Sequence, residues 1–299
     1  MTRKIVYLIN PISGTKKKTD FRQLVSKKSK EHGIDFDIEP TNANGDYDFL
    51  KKKIKKDQIT DIVICGGDGT VSSVASALIG EQVNIGIIPL GSGNGLALAA
   101  KIPKQPSKAL DLIFTGKASF IDGFYINNEF SCMLCGLGFD ALVAHEFAKQ
   151  KKRGLQTYIK VGAINFFKTN PYSFEIETKD KSLALEAFFI SIANGNQFGN
   201  NFTIAPKASL EDGLIDVVIV KKMNKFLLPF SIINQISGIN AMQNLNDYAE
   251  KKNIIYFQTP SLTIHNIHNA PLHIDGDPKE TDKKFEIKVV PKALKLIQP

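Results

Sequence analysis

The first 120 residues alternate between short apolar runs and segments with helical spacing. Ile5–Ile9 is continuously apolar, and Phe21, Leu24 and Val25 then mark a helix closed by Gly33. Ile34–Ile38 is a second strand, with Tyr47, Leu50 and Ile54 marking the helix behind it. Residues 61–65 form a third strand whose helix spans 70–79, with Thr70 as its N-cap and Gly80 as its end. Asn84–Pro89 is a fourth strand, leading through Gly91–Gly95 to a short Ala/Leu helix and another helix over 106–116. Apolar runs this continuous, separated by helices, predict parallel strands covered on both faces, which is a three-layer α/β domain. Such sheets take ligands at the carboxyl ends of their strands.

Beyond residue 120 the pattern changes. Phe124–Ile126 and Glu129–Leu134 flank Asn127-Asn128, a hairpin signal. Further strands are predicted at Tyr172–Thr178, Leu183–Ala193, Leu214–Val220, 253–258, 261–266, 271–275 and 284–290. Helices interrupt them at 139–149, 154–168 and 224–243. This describes a mostly antiparallel β-sandwich domain carrying a few helices. The expected boundaries are 1–122 for the α/β domain and 123–290 for the β-rich one, with residues 291–299 as candidates to rejoin the first.

The bulk properties narrow the function. The chain has 299 residues, of which 43% are hydrophobic, enough for two cores. No apolar run reaches 18 residues and the N-terminus enters a strand directly, so the expectation is a cytoplasmic protein, peripheral at most at the inner membrane face. Cys132 and Cys135 form a C-x-x-C without a second pair, and with Cys65 they read as buried thiols rather than a zinc or redox site. A net charge of +8 suits nucleic acid, an anionic membrane or an anionic nucleotide. The lysines are dispersed and not interleaved with aromatics, so no nucleic-acid partner is expected.

Three loops at predicted strand ends carry the chemistry. Residues 63–70 read V-I-C-G-G-D-G-T, a strand ending in glycines and an acid before a helix. Main-chain N–H groups at such a junction cradle phosphate, and the carboxylate of Asp68 can hold a metal or take a proton. Asn10-Pro11-Ile12-Ser13-Gly14 leaves the first strand and Pro89-Leu90-Gly91-Ser92-Gly93-Asn94-Gly95 leaves the fourth. Each alone is an ordinary turn; together at one sheet edge they form a nucleotide site. The second domain adds Asp140 at a helix start, Glu211-Asp212-Gly213 at a turn, and His273-Ile274-Asp275-Gly276-Asp277 around a glycine. His265, His268 and His273 lack metal spacing. Residues 221–230 couple three lysines to apolar side chains, as in a lid on an anionic bilayer or in a helix covering the β core.

In their order and spacing, N-P-I-S-G at 10–14, G-G-D-G-T at 66–70, P-L-G-S-G-N at 89–94, G-L-G-F-D-A at 136–141, A-P-K-A-S-L-E-D-G at 205–213 and D-G-D at 275–277 resemble the diacylglycerol kinase catalytic-domain family, which includes bacterial lipid kinases and the sphingosine and ceramide kinases. The resemblance runs over essentially the whole chain. It implies an ATP- and Mg²⁺-dependent kinase that phosphorylates a lipid hydroxyl, diacylglycerol-like or sphingolipid-like, at a membrane surface, with a second copy of the chain as a further candidate partner. By resemblance Asn10, Ser13, Thr41, Gly66, Gly67, Asp68, Gly69, Thr70, Ser92, Gly93 and Asn94 line ATP. Asp68 organises metal and phosphates, Asp277 is the general base, and Asp212 with the carbonyls of Ser209 and Leu214 holds Mg²⁺. Asp140 is the candidate on the substrate side. The family's usual acid at position 277 is Glu, and its sphingosine kinases carry an acid where this chain has Leu142. The G-G-D-G turn is shared with NAD kinases and phosphofructokinase-like sugar kinases, which remain the enzymatic alternative. A non-catalytic nucleotide-binding protein at a membrane surface is the other.

Overall fold

A computed structural model of the chain describes residues 3–10, 18–42, 44–152, 154–166, 168–197, 203–222, 249–251 and 253–299. The chain divides into two compact units, residues 1–121 with 292–299, and residues 122–291.

In the first unit, β1 (Lys4–Ile9), β2 (Asp35–Pro40), β3 (Asp61–Gly66) and β4 (Asn84–Pro89) alternate with α1 (Lys18–Glu31), α2 (Asp48–Asp57) and α3 (Asp68–Ala77). All four strands are parallel, in the order β2-β1-β3-β4. The short α4 (Gly95–Ala99) and α5 (Pro106–Thr115) follow, and Lys295 and Leu296 of β16 (Lys284–Gln298) pair in parallel with Asn84 and Ile85. β3 is buried along its whole length, as its unbroken apolar run requires. β2 lies at the edge and alternates acids with apolar residues; Lys53 of α2 reaches Asp37 at 2.9 Å and Glu39 at 3.2 Å, which puts charge on the exposed edge. At the amino ends, the buried Asp61 accepts from Arg3 Nε at 3.0 Å and Nη2 at 2.9 Å, Asn84 Nδ2 at 3.2 Å and the Thr60 hydroxyl at 2.6 Å. In the core the Tyr7 and Ser29 hydroxyls share a 3.0 Å hydrogen bond.

The helix after β3 begins at Asp68, not at Thr70, and its N-cap is Gly67 in extended conformation. Thr70 therefore lies in the first turn instead of capping it. The reason is lateral: its hydroxyl accepts from Asn10 Nδ2 at 2.9 Å across the sheet edge.

The second unit is antiparallel. β9 (Ser182–Ala193) is its spine, paired along one edge with β10 (Ile215–Lys221), which continues to β12 (Ile254–Thr259) and β11 (Ala249–Lys251). The opposite edge of β9 is divided. Ser182–Ala187 pairs with β8 (Tyr172–Glu177), leading to β13 (Ser261–Asn266) and β16, while Phe189–Ala193 pairs with β7 (Leu134–Gly138), leading to β14 (Leu272–Ile274) and β15 (Asp277–Lys279). The fork lets apolar side chains from both branches meet in one core around Phe124, Phe174 and Phe285. β13 and the start of β16 keep strict inward–outward alternation, the mark of strands buried on one face.

α6 (Phe139–Ala148) and α7 (Leu155–Phe166) follow β7 and lie against each other through the rings of Phe147 and Tyr158, 5.5 Å apart. β5 (Lys117–Ile126) and β6 (Glu129–Ser131) form the hairpin expected at Asn127-Asn128. The expected strand over 129–134 is broken at Cys132 and Met133, because Ser131 Oγ and the Leu134 N–H both turn to the Asp275 carboxylate. The expected helix over 224–243 lies outside the described residues. No described helix is long and apolar enough to cross a membrane.

Candidate active site

In the first unit, strands leave β1 in both directions, so the crossover sense reverses between β1 and β3. The crevice at their carboxyl ends is where such sheets bind ligands. Ladder-like bonds continue one residue past the strands: Asn10 N–H donates to Cys65 O at 3.2 Å, Thr41 N–H to Ile9 O at 3.4 Å, and Leu90 N–H to Gly66 O at 2.8 Å. Asn10, Thr41, Gly66–Thr70 and the loop at 91–94 are thereby brought to one edge. Ser13 lies outside the described residues.

The two glycine loops touch through their backbones. A Cβ on Gly91 would come within 2.5 Å of Gly67 Cα, and one on Gly67 within 3.0 Å of Gly91 Cα, so only glycine allows this approach. Asp68 fastens them: its carboxylate accepts from Asn94 N–H at 2.7 Å and Gly95 N–H at 2.6 Å, the first amides of α4. These are short, charge-assisted bonds. Asn94, at φ 57°, closes the loop on itself by accepting from Gly91 N–H at 3.0 Å and donating to Gly91 O at 2.8 Å. Ser92 stays exposed at the tip, with Gly93 half-buried beside it. No side chain caps α3, and Gly67 and Gly69 at its start place no Cβ over the positive end of the helix dipole.

The second unit holds two groups of acids. Asp275 and Gly276 form the two-residue turn between β14 and β15, both with positive φ (52° and 84°). Asp275 is buried and its Oδ1 accepts from the Ser131 hydroxyl at 2.5 Å and Leu134 N–H at 3.1 Å. Asp277, the first residue of β15, is exposed. The two carboxylates of the D-G-D motif are thus separated by environment. Asp140 is buried at the start of α6, with its Oδ2 3.4 Å from His273 Nε2. It faces the protein interior.

The second group surrounds the 209–214 turn. The Ser209 hydroxyl accepts from Glu211 N–H at 3.4 Å, and Asp212 Oδ1 from Leu214 N–H at 3.1 Å. Buried Asp122 takes Gly213 N–H at 2.7 Å. Burial, with the Asp122 carboxylate adding, raises the Asp212 carboxyl above the usual range. Burial also pushes Asp216 up to about 7, with Asp212 adding to it. Asp216 accepts from the Tyr256 hydroxyl, and Gln258 Nε2 lies 3.3 Å from it. A carboxylate lifted mainly by burial and further by a neighbouring acid, in a turn whose other donors are hard oxygens, fits a small divalent cation. Among the described residues no group of three or more His, Cys, Asp or Glu is already gathered as a metal cage.

Asp122, Asp216 and Asp275 carry this geometry, and no motif in the sequence assigns them these roles. Asp122 and Asp216 sit inside strands with no motif to mark them, whereas the Asp-Gly turn signal at 275–276 was visible. Cys65, Cys132 and Cys135 are buried free thiols, as expected.

The comparisons agree with these motifs. The family model for the diacylglycerol kinase catalytic domain matches residues 4–126, and that for the YegS C-terminal NAD kinase β-sandwich-like domain matches residues 134–298. A protein of Shewanella frigidimarina named "probable lipid kinase YegS-like" is 30% identical, over 94% of this chain and 89% of its own length. One of the same name from Xanthomonas campestris is 29% identical, over 94% and 92%. A solved structure of a diacylglycerol kinase from Bacillus anthracis aligns with a TM-score of 0.74 at 17% identity, over 99% of this chain and 97% of that one, a likeness of fold. With both halves matched in order and the family resemblance borne out, the chain belongs to the diacylglycerol kinase catalytic-domain family, a family of lipid kinases.

Proposed function

We propose that the protein transfers the γ-phosphate of ATP to the hydroxyl of a diacylglycerol-like lipid. The observation that carries this reading is the pair of glycine loops fastened by Asp68 at the strand switch point, in a chain matched end to end by a lipid-kinase family. Residues 1–122 with 291–299 bind ATP, and 123–290 present the lipid. The backbone of Gly66–Thr70 and the 91–94 loop face the phosphates, with Asn10, Ser13 and Thr41 beside them. Asp68 acts chiefly by holding these amides in place, since its two oxygens already receive Asn94 and Gly95. Asp277, exposed at the start of β15, accepts the proton of the lipid hydroxyl. Mg²⁺ would be held by the Asp212 carboxylate and the carbonyls of Ser209 and Leu214, and supplies charge neutralisation for the phosphates. Leu142 provides no carboxylate for a sphingoid amine, which favours a neutral glycerolipid acceptor.

Action at a bilayer surface is supported by α7, which exposes Ile159 (60%) and Ile164 (50%) beside the exposed Lys160. The test is incubation of purified protein with radiolabelled ATP, Mg²⁺ and a total lipid extract, identifying the labelled lipid by mass spectrometry. Asp277→Ala and Asp68→Ala should each abolish labelling; full activity in both overturns the site. ATP binding without any labelled lipid would instead favour a non-catalytic nucleotide-binding protein.

A further inference from the structure

We propose that Asp140 and His273 form a buried positioning pair that sets the Asp275-Gly276 turn and, through it, the placement of the Asp277 carboxylate. The role in turnover rests on Asp277 being the general base. Gly136 of β7 stands directly opposite Ser191 of β9 on one side and His273 of β14 on the other. Residues opposite each other on antiparallel strands present their side chains to the same face. Gly136 has none, and the Asp140 carboxylate fills the vacancy: a Cβ there would overlap Asp140 Oδ2 and lie 2.6 Å from His273 Nε2. The pair is fully enclosed, with side-chain exposures of 1% for His273 and 8% for Asp140. Asp140 Oδ1 accepts from Ala141 N–H at 2.8 Å, and among the described residues no hydrogen bond satisfies Oδ2, whose neighbour is His273 Nε2 at 3.4 Å.

The other ring nitrogen makes the connection to the turn. His273 Nδ1 accepts from Gly276 N–H at 3.3 Å. A nitrogen that accepts carries no proton, so the neutral ring holds its proton on Nε2, the atom facing the carboxylate. The imidazole therefore meets the first turn of α6 through Nε2, beside the Asp140 carboxylate, and the middle of the turn before Asp277 through the hydrogen bond at Nδ1. A buried acid–imidazole pair is costly relative to apolar residues of similar volume, so stability alone does not account for it. Fixing the φ > 0 geometry at 275–276, one residue from an exposed acid, does.

Two near-isosteres separate the two contacts. His273→Asn keeps an acceptor near Nδ1 but nothing at Nε2, while His273→Gln keeps a donor near Nε2 and loses the bond to Gly276. Hydrogen exchange of the Gly276 amide should stay protected in the Asn variant and be lost in the Gln variant. With lipid acceptor, kcat should fall about 100-fold in His273→Gln, the scale of a misplaced reacting group, and by a smaller but measurable factor in His273→Asn, which loses only the contact with Asp140. KM for ATP should not move in either. Unchanged Gly276 exchange in the Gln variant, or equal kcat in the two, overturns the proposal. If the wild type labels no lipid, the kinase reading fails while exchange still decides the turn. Should both variants misfold, ¹⁵N-histidine NMR of the wild type decides: the proton must be found on Nε2 of His273, and a proton on Nδ1 refutes the pair.

Discussion

Gly91→Ala tests whether the two glycine loops act as one body. The added methyl group would sit 2.5 Å from Gly67 Cα and 2.9 Å from Asn94 Oδ1, and the first of these is main chain that no rotamer change can relieve. Restoring an ordinary contact of 3.4 Å requires the loops to part by about 0.9 Å at that point. Taken up along the Asp68 bonds, now 2.7 and 2.6 Å, that displacement stretches both to the limit of hydrogen bonding, at about 3.5 Å. Overpacking of this kind costs about 1–3 kcal/mol, and each charged hydrogen bond lost adds roughly 1.5–3 kcal/mol unless water replaces it. The expected result is a fall of several degrees in Tm and a weakening of ATP binding by about tenfold or more, read by calorimetric titration. Gly67→Ala, with its 3.0 Å contact, should be milder. Wild-type Tm and ATP affinity in Gly91→Ala would refute the idea that backbone contact between the loops shapes the site.

Burial pushes the Tyr7 hydroxyl up to about 12, against a smaller lowering by Ser29, so the folded protein keeps a proton that the unfolded chain loses near pH 10. Stability should thus fall between pH about 10 and 12, by roughly 2–3 kcal/mol at the upper end, and Tyr7→Phe should lack this part of the fall. Urea unfolding at pH 8 and pH 11.5 checks it; a wild-type-minus-variant difference that does not shrink with pH is the adverse result. Asp61→Ala strips the acceptor from Arg3, Asn84 and Thr60 and should cost about 2–4 kcal/mol in urea unfolding, with Asp61→Asn recovering part; a loss below about 0.5 kcal/mol would show the amino-end network to be idle. Asp277→Glu, which restores the acid usual in the family, should retain kinase activity at least within about tenfold of wild type, whereas Asp277→Ala should lose it. Equal loss in both would argue against a proton-accepting role.

What could be read before folding was local. β1, β3 and β4 announce themselves by unbroken apolar runs, and the glycine loops by composition, because burial on two faces and close backbone approach leave marks on neighbouring residues. Thr70 was misplaced as a cap because the partner of its hydroxyl, Asn10, belongs to another strand. The break at Cys132 and Met133 is set by Asp275, far along the chain. β15, three residues with a central proline, carries too little apolar pattern to register. Asp122, buried within β5, gave no sign that it would hold the Gly213 amide. In each case the deciding contact joins residues whose proximity only the fold creates.

The separation of Asp275 from Asp277 bears on how inactive variants should be interpreted. An alanine scan scored by lipid phosphorylation would return both positions as essential and would seem to mark a two-acid catalytic centre. Yet loss of Asp275 removes the acceptor that the Ser131 hydroxyl and the Leu134 amide share, so its phenotype should appear as poor yield, protease sensitivity and rescue at low temperature. Loss of Asp277 should leave abundant, well-behaved, silent protein. Soluble expression level, more than activity, therefore distinguishes the architectural acid from the proposed base.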